Sequence, residues 1–168
     1  MSSNVKETVI QFGEGGFLRG FVDYFFHKLR EKGRYVGKIV VVQPLEKGMC
    51  QTQSEQNCEY NLFLRGIDNG QVVNEHTHVT SISRALNPYT QYEEYIALAE
   101  NPDLRVLVSN TTEAGIEYLG CESLTDMPPK SYPAKLCQFL YKRSNAGLKG
   151  LILLTCEIND DNGDNLKN

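Results

Sequence analysis

Apolar residues fall into two kinds of run along this chain, short unbroken ones and longer ones with helical spacing. Val9, Ile10 and Phe12 form a short apolar strand that ends in a cluster of glycines, Gly13, Gly15 and Gly16. From Gly16 to Lys32 the spacing changes. Phe17, Phe21, Phe25 and Leu29 recur every four positions with Leu18, Val22 and Phe26 beside them, which predicts a helix. Its large apolar face is expected to pack against a sheet, leaving Asp23, His27 and Arg30 on the other side. Gly33, after Lys28, Arg30 and Lys32, is a plausible stop. The run Lys38-Ile39-Val40-Val41-Val42-Gln43-Pro44 has no alternation and reads as a strand buried on both faces. Strand, helix and buried strand make one right-handed βαβ unit.

Residues 45–57 read as a loop or short irregular helix. Tyr60, Leu62 and Leu64 then alternate with Asn61, Phe63 and Arg65, and Asp68-Asn69-Gly70 makes a turn before Gln71-Val72-Val73, a β-hairpin signal. Antiparallel strands appended to the parallel sheet are expected here, with a further strand over Val79–Ser83. Asn87-Pro88 opens a helix through Tyr92, Tyr95, Ile96 and Ala99 that Asn101-Pro102 stops. Leu104 to Asn110 is a buried strand entering the polar loop Thr111-Thr112-Glu113-Ala114-Gly115. Ser131 caps a helix with Pro133 in its first turn and Leu136, Phe139 and Leu140 inward, ended by Gly147. Leu151-Ile152-Leu153-Leu154 is the last strand, followed by Thr155-Cys156-Glu157 and a polar tail. The expected class is α/β: one Rossmann-type, doubly wound, mostly parallel sheet over residues 1–168, with an inserted β-hairpin.

Composition removes several function classes. The net charge of −4 and the lack of a basic stripe argue against nucleic acid as a partner. No apolar run approaches the ~18 residues of a membrane span, and the N-terminus lacks a signal-peptide core, so a cytoplasmic protein without a membrane partner is expected. The five cysteines are odd in number and lack C-x-x-C spacing, which fits reduced thiols. His76 and His78 could face one way on a strand, but no third ligand lies near in sequence and no metal is expected. Tyr132 and Lys135 have two intervening residues, one of them Pro133, where a catalytic tyrosine–lysine pair on one helix face needs three. Tyr132 is therefore read as packing. The acids Glu157, Asp160, Asp161 and Asp164 read as a solvated face.

Ligands of a doubly wound sheet bind beyond the C-terminal ends of its strands. A glycine turn between strand and helix offers free backbone N–H groups and a positive dipole end to a diphosphate. Gly13 would permit the tight turn, and Gly15 would let the backbone approach the phosphates, through a bare Cα and a possible positive φ. The third glycine of the dinucleotide fingerprint should stand at position 18, where this chain has Leu18, and G-x-G alone is a weak signal. At the end of the second strand an acidic residue normally accepts from the adenosine ribose. Here Gln43 stands in its place, and NAD is preferred over NADP. A methyltransferase and a non-catalytic nucleotide-sensing module share this layout. Gln43-Pro44 argues against the first.

The phrase Ile10-Gln11-Phe12-Gly13-Glu14-Gly15-Gly16-Phe17-Leu18-Arg19 resembles the cofactor loop of the mannitol dehydrogenase family, the long-chain polyol and hexuronate dehydrogenases. That family's G-x-G-x-F-x-R also lacks the third glycine. Val40 to Pro44, Ser109 to Ile116 and Ser131 to Leu136 are similar to a branch acting on keto-hexuronates. The resemblance runs from about Val9 to Leu166. It implies an NAD-dependent hydride transfer to and from a small-molecule sugar acid, without metal. The implied cofactor set is Phe12, Gly13, Glu14, Gly15, Gly16, Phe17, Leu18, Arg19 and Gln43, with Asn110, Thr111, Thr112 and Glu113 beside the nicotinamide ribose and ring. Two departures stand out. The branch usually has arginine where Gln43 stands. The polyol members carry an asparagine where Ile158 stands, so Asn162 is the polar group carried over to the reaction centre. The family's lysine acid–base belongs to a helical C-terminal domain. The resemblance therefore implies that residues 1–168 are a cofactor domain whose partner is the protein's own catalytic domain.

Overall fold

The computed structural model describes residues 6–117 and 119–167, the side chains of 113 and 114 excepted. Strands β1 (Glu7–Phe12), β2 (Lys38–Val42), β5 (Ile82–Leu86), β6 (Val106–Ser109) and β7 (Ile152–Thr155) form one five-stranded sheet. Their order is β5-β2-β1-β6-β7, and all four pairings are parallel. Because successive side chains of a strand point to opposite faces, β1 and β2 supply both cores. Ile10, Phe12, Val40 and Val42 join Tyr95, Leu136 and Phe139 on one face, whereas Val9, Ile39 and Val41 join Leu18 and Val108 on the other. This two-sided burial is why β2 shows no apolar–polar alternation.

The first helical stretch differs from its expected form in two ways. It is broken at Phe21 (φ −116°, ψ −75°) into α1 (Gly16–Gly20) and α2 (Val22–Glu31). Its inward face is also the other one. Leu18, Val22 and Phe26 meet the sheet, and Asp23 and His27 are buried with them. Phe17, Phe21, Phe25 and Leu29 are 39–54% exposed. Two neighbouring stripes of this helix are apolar, and the bend turns the bulkier one to solvent.

The remaining elements follow expectation with shifts of a few residues. Residues 45–57 contain one short helix, α3 (Cys50–Glu55). The hairpin β3 (Tyr60–Asp68) and β4 (Gln71–Val79) turns through Asn69 and Gly70, both at positive φ (48° and 77°), the conformation that favours this dipeptide. It forms its own two-stranded sheet and is not appended to the parallel one. The strand expected over 79–83 is two: β4 ends at Val79 and β5 begins at Ile82. Helix α4 (Tyr92–Ala97) starts later than Pro88, because Asn87 closes a turn onto Tyr89 and Gln91 first. Helix α5 (Tyr132–Asn145) has the expected cap, with the Ser131 hydroxyl accepting from Ala134 N at 3.2 Å. The tail contains a sixth helix, α6 (Asn162–Lys167). β7 is not buried: it is a rim strand with Ile152 64% and Leu154 47% exposed.

Candidate functional site

The chain leaves β1 toward β2 on one side and later returns to β6 on the other, so the crevice of this sheet opens at the C-terminal ends of β1 and β6. The glycine turn sits at that point. Gly13 N donates to Val42 O and Asn110 N to Phe12 O, both at 3.1 Å, which seats the turn between its two neighbouring strands. Gly13 has φ +120°, and a Cβ there would lie 2.8 Å from Asn110 O and 3.0 Å from a Leu18 methyl. Both facts require glycine. Gly15 is different. Its φ is −71°, so it needs no left-handed backbone, contrary to expectation, and a Cβ would meet nothing within 4 Å. Its bare Cα faces a cleft of about 480 Å³. The first-turn amides that follow have no intrahelical acceptor by helix geometry.

Gly13, Glu14, Gly15, Asn110, Thr111 and Thr112 line this cleft. Phe12 and Leu18 do not. They are fully buried and anchor the turn from beneath, Phe12 against Tyr132 at 5.1 Å between ring centroids. Gly16 and Phe17 are exposed at the helix start, with Phe17 stacked on Phe21 at 5.0 Å. The Arg19 guanidinium lies 5.9 Å from the Tyr60 ring centroid, outside the cleft lining, and Arg19 O accepts from the Tyr60 hydroxyl at 2.6 Å. The side chain of Glu113 lies outside the described residues.

Gln43 is buried and its amide is engaged internally. Nε2 donates to Leu45 O at 2.8 Å and Glu46 O at 3.1 Å, and Oε1 accepts from Cys50 N at 3.1 Å. The expectation that this amide meets the adenosine ribose directly is therefore corrected: it faces the loop that follows β2. Asn162 is likewise held in a strand-end network. Its Oδ1 accepts from the Thr155 hydroxyl at 2.9 Å, and its Nδ2 donates to Glu157 O at 3.0 Å. Glu157, read from sequence as a solvated acid, is buried at the centre of that network and accepts from Thr111 N at 3.0 Å. It fixes the start of the Thr111–Thr112 loop. No sequence signal separated it from the neighbouring acids.

Residues 7–168 match the mannitol dehydrogenase Rossmann domain. The chain belongs to the mannitol dehydrogenase family. It is 49% identical over 165 residues to altronate oxidoreductase of Phocaeicola vulgatus and 42% identical to that of Bacillus subtilis, covering 96% of this chain and 34% of each relative. The chain thus spans about a third of the length of these curated relatives. A ternary complex of Pseudomonas fluorescens mannitol 2-dehydrogenase with NAD and D-mannitol superposes with a TM-score of 0.83 at 20% identity, over 98% of this chain and 36% of that one. A substrate-free D-sorbitol dehydrogenase gives 0.74 at 19% identity, over 97% and 36%. These two show that the fold is shared.

In this mannitol dehydrogenase family domain, the charged groups around the cleft are restrained by burial. Desolvation raises the Glu14 carboxyl above its ordinary value, opposed by the Met49 amide that its Oε1 accepts at 3.1 Å. Lys130 lines the cleft. Lys135 lies behind the wall, fully buried, donating to Lys130 O at 2.7 Å and to the Tyr89 hydroxyl at 3.1 Å. Burial lowers its ammonium to about 8. Tyr132 lines the cleft with its hydroxyl buried and its pKa raised by desolvation, and its ring packs on Phe12 as expected. His76 and His78 face solvent on the hairpin, bound to Asn61 and Glu59. Among the described residues, no group of three or more His, Cys, Asp or Glu gathers as a metal site. No described helix is long and apolar enough to cross a membrane.

Proposed function

We propose that residues 1–168 are the NAD-binding domain of a cytoplasmic oxidoreductase that passes a hydride between NADH and a keto-hexuronate, D-tagaturonate in one direction and D-altronate in the other. The observation that carries this reading is Gly15, the cleft-lining glycine of the turn whose missing side chain serves no contact within the protein. Its Cα is bare toward a cleft between the ends of β1 and β6, where a diphosphate meets the first-turn amides. The names of the relatives at 42–49% identity support the sugar-acid substrate over a polyol or fructuronate.

The nicotinamide, when bound, supplies the hydride. The chain's own residues hold and orient the dinucleotide: Gly13 shapes the turn, Gly15 admits the diphosphate, and Thr111 and Thr112, fixed through Glu157, border the far end of the cleft. Asn162, whose amide is held by Thr155 and Glu157 in the same strand-end network, is assigned the polarising contact to the substrate carbonyl by the family resemblance alone. A ketone that accepts hydride becomes an alkoxide and must be protonated. Tyr132 is packed on Phe12 with its hydroxyl buried, and Lys135 is enclosed behind the wall, so neither is placed to do this. The proton donor and the partner for the substrate carboxylate are assigned to the catalytic domain carried by the other two-thirds of such a protein.

The test is calorimetric titration with NADH of the unmodified chain and of Gly15→Val, with thermal melting of both. Binding by the first, loss of binding by the second and an unchanged melting temperature are expected. Equal affinity in both proteins removes the glycine turn from the site.

A further inference from the structure

Gln43 and Glu14 come from different strand ends and converge on one segment, residues 44–50. Gln43 holds it from below through three hydrogen bonds, to Leu45 O, Glu46 O and Cys50 N. Glu14, within the glycine turn, holds it from the side by accepting from Met49 N at 3.1 Å. Gly48 closes the fit: a Cβ there would collide with Glu14 Oε1 and the Gln43 amide. Glu46 O also accepts from Asn87 Nδ2 at 3.3 Å, which fastens the segment to the end of β5. The outer side of the segment presents Pro44, Leu45 and Met49 to the cleft, and Leu45 is 60% exposed. An otherwise irregular loop is thus clamped at four backbone atoms by two side chains, while its apolar residues remain uncovered.

Resting on the reading of the cleft as a dinucleotide site, we propose that Gln43 and Glu14 are positioning residues that hold the 44–50 loop as the wall for the adenosine half of the cofactor, with Leu45 and Met49 making the contact. A flat purine meets apolar side chains there, and a diphosphate lying on Gly15 places it on the β2 side of the turn. Because the Gln43 amide has no free group to offer, discrimination between a ribose hydroxyl and a 2′-phosphate does not pass through it. Gln43 governs how strongly the adenosine half binds, and not which dinucleotide is preferred.

The experiment measures the affinities of NADH, NADPH, ADP-ribose and nicotinamide mononucleotide in the unmodified chain, in Gln43→Met and in Gly48→Ala. Methionine keeps the buried volume and removes all three hydrogen bonds. NADH, NADPH and ADP-ribose are expected to bind about tenfold more weakly to both variants, as loss of the clamp frees the wall. The NADH-to-NADPH ratio should stay within about twofold, and nicotinamide mononucleotide should be unaffected. A general loss of structure would weaken all four ligands and broaden the thermal transition. If Gln43→Met does not fold, Gly48→Ala delivers the same readout from an exposed position. Unchanged NADH affinity in the variants, or a roughly tenfold change in the NADH-to-NADPH ratio, overturns this inference alone. Absence of NADH binding by the unmodified chain overturns the proposed function with it.

Discussion

Asp23 is a carboxyl in the core of a marginally stable domain, and its replacement by asparagine should make the protein more stable at neutral pH. The side chain is fully buried, and neither oxygen has a hydrogen-bond partner. Two donors stand close by but are committed elsewhere: Gln11 Nε2 to Gly13 O at 3.1 Å, and the Tyr60 hydroxyl to Arg19 O at 2.6 Å. Desolvation therefore dominates, and even with Arg19 opposing it the carboxyl rises from 3.8 to about 7. At about 1.4 kcal/mol per pH unit that rise amounts to roughly 4 kcal/mol. The group is raised in the folded state, so its contribution is full below the unfolded value near 3.8 and is lost as pH climbs through about 7. Asp23→Asn removes the titration. Relative to the unmodified chain the variant should gain nothing near the bottom of this range and about 2–4 kcal/mol above its top. Urea unfolding of both proteins at a series of pH values from 4 to 8 gives the difference directly, with the other carboxylates cancelling. A variant that runs parallel to the unmodified chain, or is less stable at pH 8, would refute the reasoning and show Asp23 ionised and paired with Arg19.

Other substitutions separate architecture from binding. Gly13→Ala should cost about 1–3 kcal/mol for its left-handed backbone alone, before the collision with Asn110 O, and chemical denaturation reads the loss. Arg143, a buried residue in the last turn of α5, donates to the carbonyls of Ala99, Asn101, Leu104 and Lys149 at 2.6–3.2 Å. Arg143→Met should destabilise by on the order of 3 kcal/mol, since it leaves buried acceptors unpaired, with NADH affinity unchanged in the folded fraction. The chain should not oxidise NADH with tagaturonate at a measurable rate by absorbance at 340 nm. Turnover would place the proton donor within residues 1–168.

The parts of the fold legible in the sequence were those where one local signal had one physical cause. β1, β2 and β6 are short β-branched runs because both their faces are covered, and Asn69-Gly70 announces its hairpin because two successive positive φ values leave few alternatives. Legibility failed where two solutions were equally apolar. Phe17, Phe21, Phe25 and Leu29 make a stripe as convincing as Leu18, Val22 and Phe26, and the choice between them depends on the bend at Phe21, which the sequence marks only by the preceding Gly20. The site shows the same division. Gly13 and Gly15 could be placed from spacing, whereas the inward turn of Gln43 depends on a carbonyl pair at Leu45 and Glu46 that only the folded loop brings within reach. Glu157 looked like its acidic neighbours until the Thr111 amide was seen to point at it.

The two rims of the sheet are unlike each other. β5 has Ala85 and Leu86 buried and α3 alongside, while β7 carries Ile152, Leu153 and Leu154 in the open among the described residues. Nothing among the described residues covers that row of side chains, and apolar surface left open in water favours whatever covers it. A sheet edge that bears open apolar side chains is a place where a further strand can add.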